Sequence, residues 1–239
     1  MASLKKYLKL MKDHPELFST PDEPKVIRII TDPEKIIALQ AKLKKEYKAA
    51  GEKPEWIDIG ILGEDKWEYI VRDLVEHPDG RIGGYTRSVS KTTLQSVMGV
   101  VIMPVQGNKV LILKHFRHEV RNWLLEFPRG FGEPGLTADE NATKELKEEV
   151  GLSPIKLIEI GKDPGTVFYY AELEEGEPRI PADEAIQKIE FVNSAELENW
   201  IINGQITDWF TIMAFLCYKK TDSNTYMPLR PFGEKKTQE

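Results

Sequence analysis

Short apolar runs separated by turn-forming residues dominate the middle of the chain, a pattern typical of β-strands. Two of these runs, 67–76 and 81–89, flank a Pro78-Asp79-Gly80 segment that predicts the turn of a hairpin. The predicted strands are 26–30, 67–76, 81–89, 94–104, 109–116, 123–127, 155–160, 167–173 and 188–192. We therefore expect a sheet of many short strands.

Apolar residues at spacings of three and four predict helices near both ends of the chain and one helix between the strands. The central helix has a start signal in Thr137 and Glu140, which form a capping-box pattern, and a stop signal in Gly151. Ser194 is predicted to cap a later helix, and Thr207 to open the last one. The predicted helices are 3–13, 33–50, 138–150, 195–203 and 207–219. Helices that alternate with strands predict an α/β fold.

The length of the chain allows one sizeable core. With 239 residues, of which 41% are hydrophobic, one catalytic domain with an N-terminal addition is expected. We place an N-terminal helical α/β extension at 1–65, the catalytic domain at 66–220 and a polar C-terminal tail at 221–239.

Charge and cysteine content exclude several classes of protein. The net charge of -6 argues against a nucleic-acid-binding surface. No segment approaches the roughly 20 apolar residues of a membrane span. Cys217 is the single cysteine, so no internal disulfide can form and an intracellular location is favoured. We therefore predict a cytoplasmic protein with neither a nucleic-acid nor a membrane partner.

Three carboxylates crowd one face of the predicted helix 138–150. Glu145, Glu148 and Glu149 fall at i, i+3 and i+4, where like charges repel and the helix dipole disfavours anions near the C-terminus. One interpretation is a solvated face on which Lys144 and Lys147 serve as ordinary surface partners. The other is a cation site that holds the carboxylates together.

The segment before this helix favours the cation site. Gly130, Gly132 and Gly135, with Pro134 among them, predict an irregular backbone that can approach a ligand closely. A strand, such a loop and an acidic helix together supply the oxygen ligands that Mg²⁺ prefers.

This stretch, 126–152, resembles the Nudix box, in which a first glycine is followed by a helix carrying a glutamate-rich pattern. Gly130 matches the first glycine, and the end of the pattern is matched in register by Glu145, Leu146, Glu148, Glu149, Gly151 and Leu152. Two positions depart from the box: Leu136 stands where it has glutamate, and Lys144 where it has arginine. Lysine keeps the charge but lacks the planar fork of arginine.

Within the Nudix superfamily the chain is most similar to the ADP-ribose pyrophosphatase branch. The residues that carry this similarity are Arg72-Asp73, Phe116-Arg117, 123–128, 182–186, 189–192 and 204–208. The resemblance implies an alpha/beta/alpha sandwich with a mixed sheet over about 66–220. It also implies a homodimer, in which the strands within 67–89 serve both assembly and substrate binding.

The resemblance further implies the roles of the acidic residues. Glu145 and Glu149 are expected to be the main Mg²⁺ ligands, with Glu148 as the third and the main-chain carbonyl of Arg129 completing the site. Mn²⁺ is an alternative metal. A late loop supplies a general base in related enzymes, and Glu184 is the candidate here. A solvated loop is the competing interpretation of Glu184.

Arginines are the candidates for substrate binding. By similarity Arg117 contacts phosphate, although a salt bridge to Glu126 or Glu119 is the alternative. Arg129 replaces a small residue of the family, so its side chain either pairs with the substrate or narrows the pocket. Further candidates of the same kind are Arg72 and Arg87. Trp123 is interpreted as a core aromatic, with base stacking as the alternative.

Two functions follow from the resemblance. The first is Mg²⁺-dependent hydrolysis of the pyrophosphate bond of a nucleoside diphosphate linked to a sugar or similar moiety, giving two phosphorylated products. The second is a nucleotide-sugar sensor without turnover, which is consistent with Leu136, Lys144 and a segment after Gly165 that is shorter than in the related pyrophosphatases. Because all three box glutamates are present, we favour the hydrolase.

Overall fold

The computed structural model describes residues 2–224 of the chain, and the predicted tail from 225 onward lies outside the described residues. The chain divides into two compact units, Met1–Ser96 and Val97–Glu239. This division falls later than the predicted boundary at 65/66, because the hairpin of 67–89 pairs with strands that precede it in the chain.

The first unit is built around a four-stranded antiparallel sheet. Its central strand, β3 (Glu68–Glu76), pairs with the other three strands. One of these, β2 (Gly60–Glu64), was not predicted from the sequence. Helices of 10 and 17 residues accompany the sheet. The elements are α1 (Leu4–Asp13), β1 (Arg28–Ile29), α2 (Pro33–Ala49), β2 (Gly60–Glu64), β3 (Glu68–Glu76) and β4 (Ile82–Ser90). Tyr7, Ile36 and Leu74 are fully buried in its core. The predicted helices and the hairpin of this unit are confirmed.

The second unit holds a seven-stranded mixed sheet. Its strands are β5 (Gly99–Gln106), β6 (Lys109–Arg117), β7 (Asn122–Glu126), β8 (Arg129–Gly130), β9 (Pro154–Lys162), β10 (Thr166–Leu173) and β11 (Ile186–Val192). The strand order is β11-β6-β5-β10-β9, with β7 paired to β6 and β8 paired to β5. β10 runs parallel to β5, whereas the other pairs are antiparallel.

Helices cover both faces of this sheet. They are α3 (Ala138–Glu149), α4 (Ser194–Ile202) and α5 (Trp209–Asn224). Because side chains alternate along a strand, β5 directs Ile102 into one cluster with Leu146 of α3, and Met103 into another with Phe215 of α5. The predicted alpha/beta/alpha sandwich with a mixed sheet is therefore confirmed.

Several boundaries differ from the sequence prediction. The strand predicted at 94–104 begins at Gly99, because Thr93–Gln95 forms a short 3₁₀ turn. Asn193 rather than Ser194 caps α4, since its side chain accepts from the backbone N–H of Glu196. The last helix starts after Asp208 rather than at Thr207, and it continues through 224, so the first four residues of the predicted tail are helical. Within 2–224 no helix is long and apolar enough to cross a membrane.

Candidate active site

The capping box predicted for α3 is present and fixes the start of the helix. Thr137 Oγ1 accepts from the backbone N–H of Glu140, and the Glu140 carboxylate accepts from the backbone N–H of Thr137. The helix then brings Glu145 against β8, where a Cβ added to Gly130 would lie 1.8 Å from Glu145 Oε1. Position 130 must therefore be glycine, because any side chain there would collide with the Glu145 carboxylate.

Glu149 lies one turn further along α3 and is only 4% exposed. Its Oε2 accepts from the backbone N–H of Arg129 at 3.2 Å. Burial, followed by the charge of Glu145, raises the pKa of Glu149 to about 8. Burial, followed by the charge of Glu148, raises the pKa of Glu145 to about 7. Two crowded carboxylates of this kind fit a hard divalent cation, which would relieve their repulsion.

Glu148 takes a different position from the other two carboxylates. Its half-exposed side chain pairs with Lys144 at 3.3 Å, and Lys144 also contacts Glu133. In the described part of the chain, no set of three or more His, Cys, Asp or Glu side chains is arranged to hold a metal ion. The structure thus places Glu148 near enough for its charge to act on Glu145, while its side chain also pairs with Lys144.

Glu184 lies in the loop between β10 and β11 and is partly buried, whereas its neighbour Asp183 is exposed. The charge of Glu184 contributes to the raised pKa of Glu145. The late loop therefore places its carboxylate within electrostatic reach of the acidic pair.

Glu126, at the end of β7, is the centre of a buried ion network and is 0% exposed. Arg117 donates to it through Nε at 3.0 Å, and Arg117 Nη2 and His115 Nδ1 lie 2.5 Å and 3.0 Å from its Oε1. Burial opposes ionisation of Glu126, but the hydrogen bonds from His115 and Arg117 outweigh this effect and lower its pKa. The alternative prediction for Arg117, a salt bridge to Glu126, is therefore confirmed.

Arg129 joins this network to α5. Its Nη2 lies 3.5 Å from Glu126 and 3.3 Å from the buried Asp208. Asp208 Oδ2 in turn accepts from the backbone N–H and the hydroxyl of Thr211. No role was predicted for Asp208, although it lies in the segment 204–208 that carries the family resemblance.

A cavity of about 410 Å³ opens beside the network. Its lining residues are Arg117, Glu119, Val120, Asn122, Leu124, Arg129, Thr207, Asp208, Trp209 and Phe210. Arg129 Cζ lies 4.5 Å from the centre of the Phe210 ring, and the rings of Phe210 and Trp209 are 4.0 Å apart. The aromatic residues of this site were not identified from the sequence, which offered no motif for them.

The two remaining arginine candidates lie in the first unit. Arg72 donates to Thr86 Oγ1 and to the carbonyl oxygens of Glu55 and Asp58. Arg87 pairs with the buried Asp73 at 2.6 Å and donates to the carbonyl of Leu17. Their contacts within that unit are structural.

Three other predictions concern individual positions. The core interpretation of Trp123 is wrong, because its side chain is 39% exposed and meets Phe116 edge-on. Leu136, which replaces the box glutamate, is partly exposed at the loop. The segment after Gly165 is short as expected, since β10 begins at Thr166, whose carbonyl accepts from the N–H of Asp163.

Comparison with known proteins supports the resemblance to the Nudix family. The model of the NUDIX domain matches residues 93–210. The ADP-sugar pyrophosphatase of Mus musculus is 29% identical over 97 residues, which cover 38% of this chain and 44% of that protein. The chain thus matches less than half the length of this relative.

A solved structure supports the fold. The crystal structure of an ADP compounds hydrolase superposes with a TM-score of 0.57 at 16% identity, covering 70% of this chain and 92% of that one. At this identity the match shows the fold alone. Together with the box residues on β8 and α3, the matches to the NUDIX domain and to the mouse protein make the chain similar to the Nudix family and, within it, to an ADP-sugar pyrophosphatase.

Proposed function

We propose that the chain hydrolyses the pyrophosphate bond of a nucleoside diphosphate linked to a sugar or similar moiety, such as ADP-ribose, in a Mg²⁺-dependent reaction that gives two phosphorylated products. Mn²⁺ is the alternative metal. The observation that carries this proposal is the pair of crowded carboxylates Glu145 and Glu149, of which the buried Glu149 accepts from the backbone N–H of Arg129, a residue that lines the cavity.

Each part of the site has a role in this proposal. Glu145 and Glu149 hold the metal, which when bound neutralises pyrophosphate oxygens and makes a nucleophile of water. Arg117 and Arg129, which both line the cavity, bind phosphate oxygens through their guanidinium groups. Glu184 accepts the proton of the attacking water. The support for this role is that the charge of Glu184 acts on Glu145, which places it near the proposed metal ligands.

One observation favours a second candidate, a nucleotide-sugar sensor without turnover. Lys144 pairs with Glu148, and in the described part of the chain no set of three or more acidic, His or Cys side chains is arranged to hold a metal ion. A site with fewer anionic ligands holds Mg²⁺ more weakly. Such a site could bind a nucleotide while activating water poorly.

The experiment that separates these functions is phosphate release from a panel of nucleotide sugars, with ADP-ribose first. The assay contains Mg²⁺ or Mn²⁺ and a phosphatase that acts only on the phosphomonoester products. We expect release that depends on the metal and is abolished by a chelator. No release across the panel, together with thermal stabilisation by one of the ligands, would identify the sensor instead.

We also propose that the chain acts in the cytoplasm as a homodimer, with neither nucleic acid nor membrane as a partner. The support for assembly is β4, which pairs with β3 alone among the described strands and so offers its second edge to another copy. Sedimentation velocity at micromolar concentration is expected to show a mass near twice the 27.4 kDa of the chain. A single species at the monomer mass would contradict the dimer.

A further inference from the structure

We propose that the cavity beside Arg129 is the subsite for the nucleoside monophosphate half of the ligand, with the phosphate against Arg117 and Arg129 and the base stacked on Trp209. This inference rests on the proposed function, because it names which half of the substrate occupies the cavity. The cavity is therefore expected to bind a ligand that carries both a planar aromatic base and an anionic phosphate.

The cationic side of the cavity has unused hydrogen-bond donors. Glu126 engages Nε and Nη2 of Arg117, which is only part of the five N–H donors of a guanidinium. Arg129 uses Nη2 for both Glu126 and Asp208, while its buried Nε has no hydrogen-bond partner among the described residues. Both side chains line the cavity, so an anion there would lie beside two guanidinium charges.

The other side of the cavity is apolar and aromatic. Arg129 lies over the ring of Phe210, which in turn contacts the tilted ring of Trp209, and Trp209 is 51% exposed. Val120 and Leu124 add aliphatic surface to the same lining. A half-exposed indole beside a cavity offers a flat face on which a base can stack.

The two sides together select the class of ligand. A sugar phosphate would satisfy the arginines but would leave the aromatic surface in water. A nucleoside monophosphate satisfies both sides, since its phosphate and its base are held at opposite ends of one ribose. The volume of about 410 Å³ lies near the lower end of the range of small-molecule sites, as expected for one half of a dinucleotide-like substrate.

Calorimetric titration with AMP and with ribose 5-phosphate tests the assignment on the full chain. In the Trp209→Ala variant we expect AMP to bind about tenfold more weakly than to the wild type, because base stacking is lost. Ribose 5-phosphate is expected to bind both proteins equally. Trp209→Phe keeps an aromatic face and should lie within about threefold of the wild type for AMP.

The control is Leu216→Ala, which removes another exposed apolar side chain from α5 but does not line the cavity. It should change neither affinity. The subsite is overturned if the wild type does not bind AMP, if Trp209→Ala binds AMP as tightly as the wild type, or if both ligands weaken equally. Turnover of ADP-ribose is measured separately, so a failed subsite is distinguishable from an absent hydrolase.

Discussion

Replacing Glu149 with glutamine is expected to lower the Mg²⁺-dependent turnover number for ADP-ribose by roughly a thousandfold, since metal stabilisation of a transition state is worth several kcal/mol. Glutamine keeps the shape of the side chain and can still accept from the backbone N–H of Arg129, so the fold should persist. The loss is measured by phosphate release at saturating Mg²⁺, with circular dichroism to check the fold.

The matched control is Glu148→Gln on the neighbouring helical position. Because Glu148 is half exposed and pairs with Lys144, we expect its loss to lower turnover by less than about tenfold. An equal loss in both variants would show that all three glutamates act on the metal together. Full activity of Glu149→Gln would remove the metal assignment of that residue.

The same variant has a second readout in the metal-free protein. Glu149 ionises near pH 4.5 in the unfolded chain but near pH 8 in the folded chain. Between these values the folded state binds more protons, so the free energy of unfolding falls as the pH rises. We expect the midpoint of thermal unfolding to fall over this window in the wild type and to fall less in Glu149→Gln. A steeper decline in the variant would contradict the raised pKa.

The sequence predicted the parts of this site that depend on local rules. The capping box of Thr137 and Glu140, the stop signal at Gly151 and the apolar stripe on α3 determine the helix by themselves. Runs of apolar residues likewise predicted most of the strands, although the sequence did not show that Ile102 and Met103 would face different layers. The arrangement of these elements in a sandwich with a mixed sheet was expected from the resemblance rather than from short-range patterns.

The partners of the charged groups were harder to predict, because they depend on contacts between distant segments. Helical spacing placed three glutamates on one face, but it did not show that Lys144 and Glu133 would engage Glu148. The link from Arg129 in β8 to Asp208, the residue before α5, joins positions 79 apart in the numbering and leaves no local signal. The stacking of Arg129 on Phe210 was missed for the same reason.

The ion network around Glu126 leads to the second prediction with a large effect. We expect Glu126→Gln to lower the free energy of unfolding by about 3 to 5 kcal/mol, the range for breaking a buried ion pair from one side. The carboxylate is fully buried and contacts both Arg117 and Arg129, so its loss leaves two guanidinium groups with less compensation. Urea denaturation of the two proteins measures the difference.

An exposed ion pair provides the comparison for this variant. Glu190 pairs with Lys188 at 2.9 Å near the surface, and Glu190→Gln should cost less than about 1 kcal/mol. Adding Arg117→Met to Glu126→Gln should recover part of the stability, because an apolar side chain no longer needs a buried counter-charge. A cost for Glu126→Gln as small as that for Glu190→Gln would mean that water, rather than Glu126, compensates the arginines. In that case the cavity donors would be solvated before any phosphate arrives, and their advantage for binding an anion would be lost.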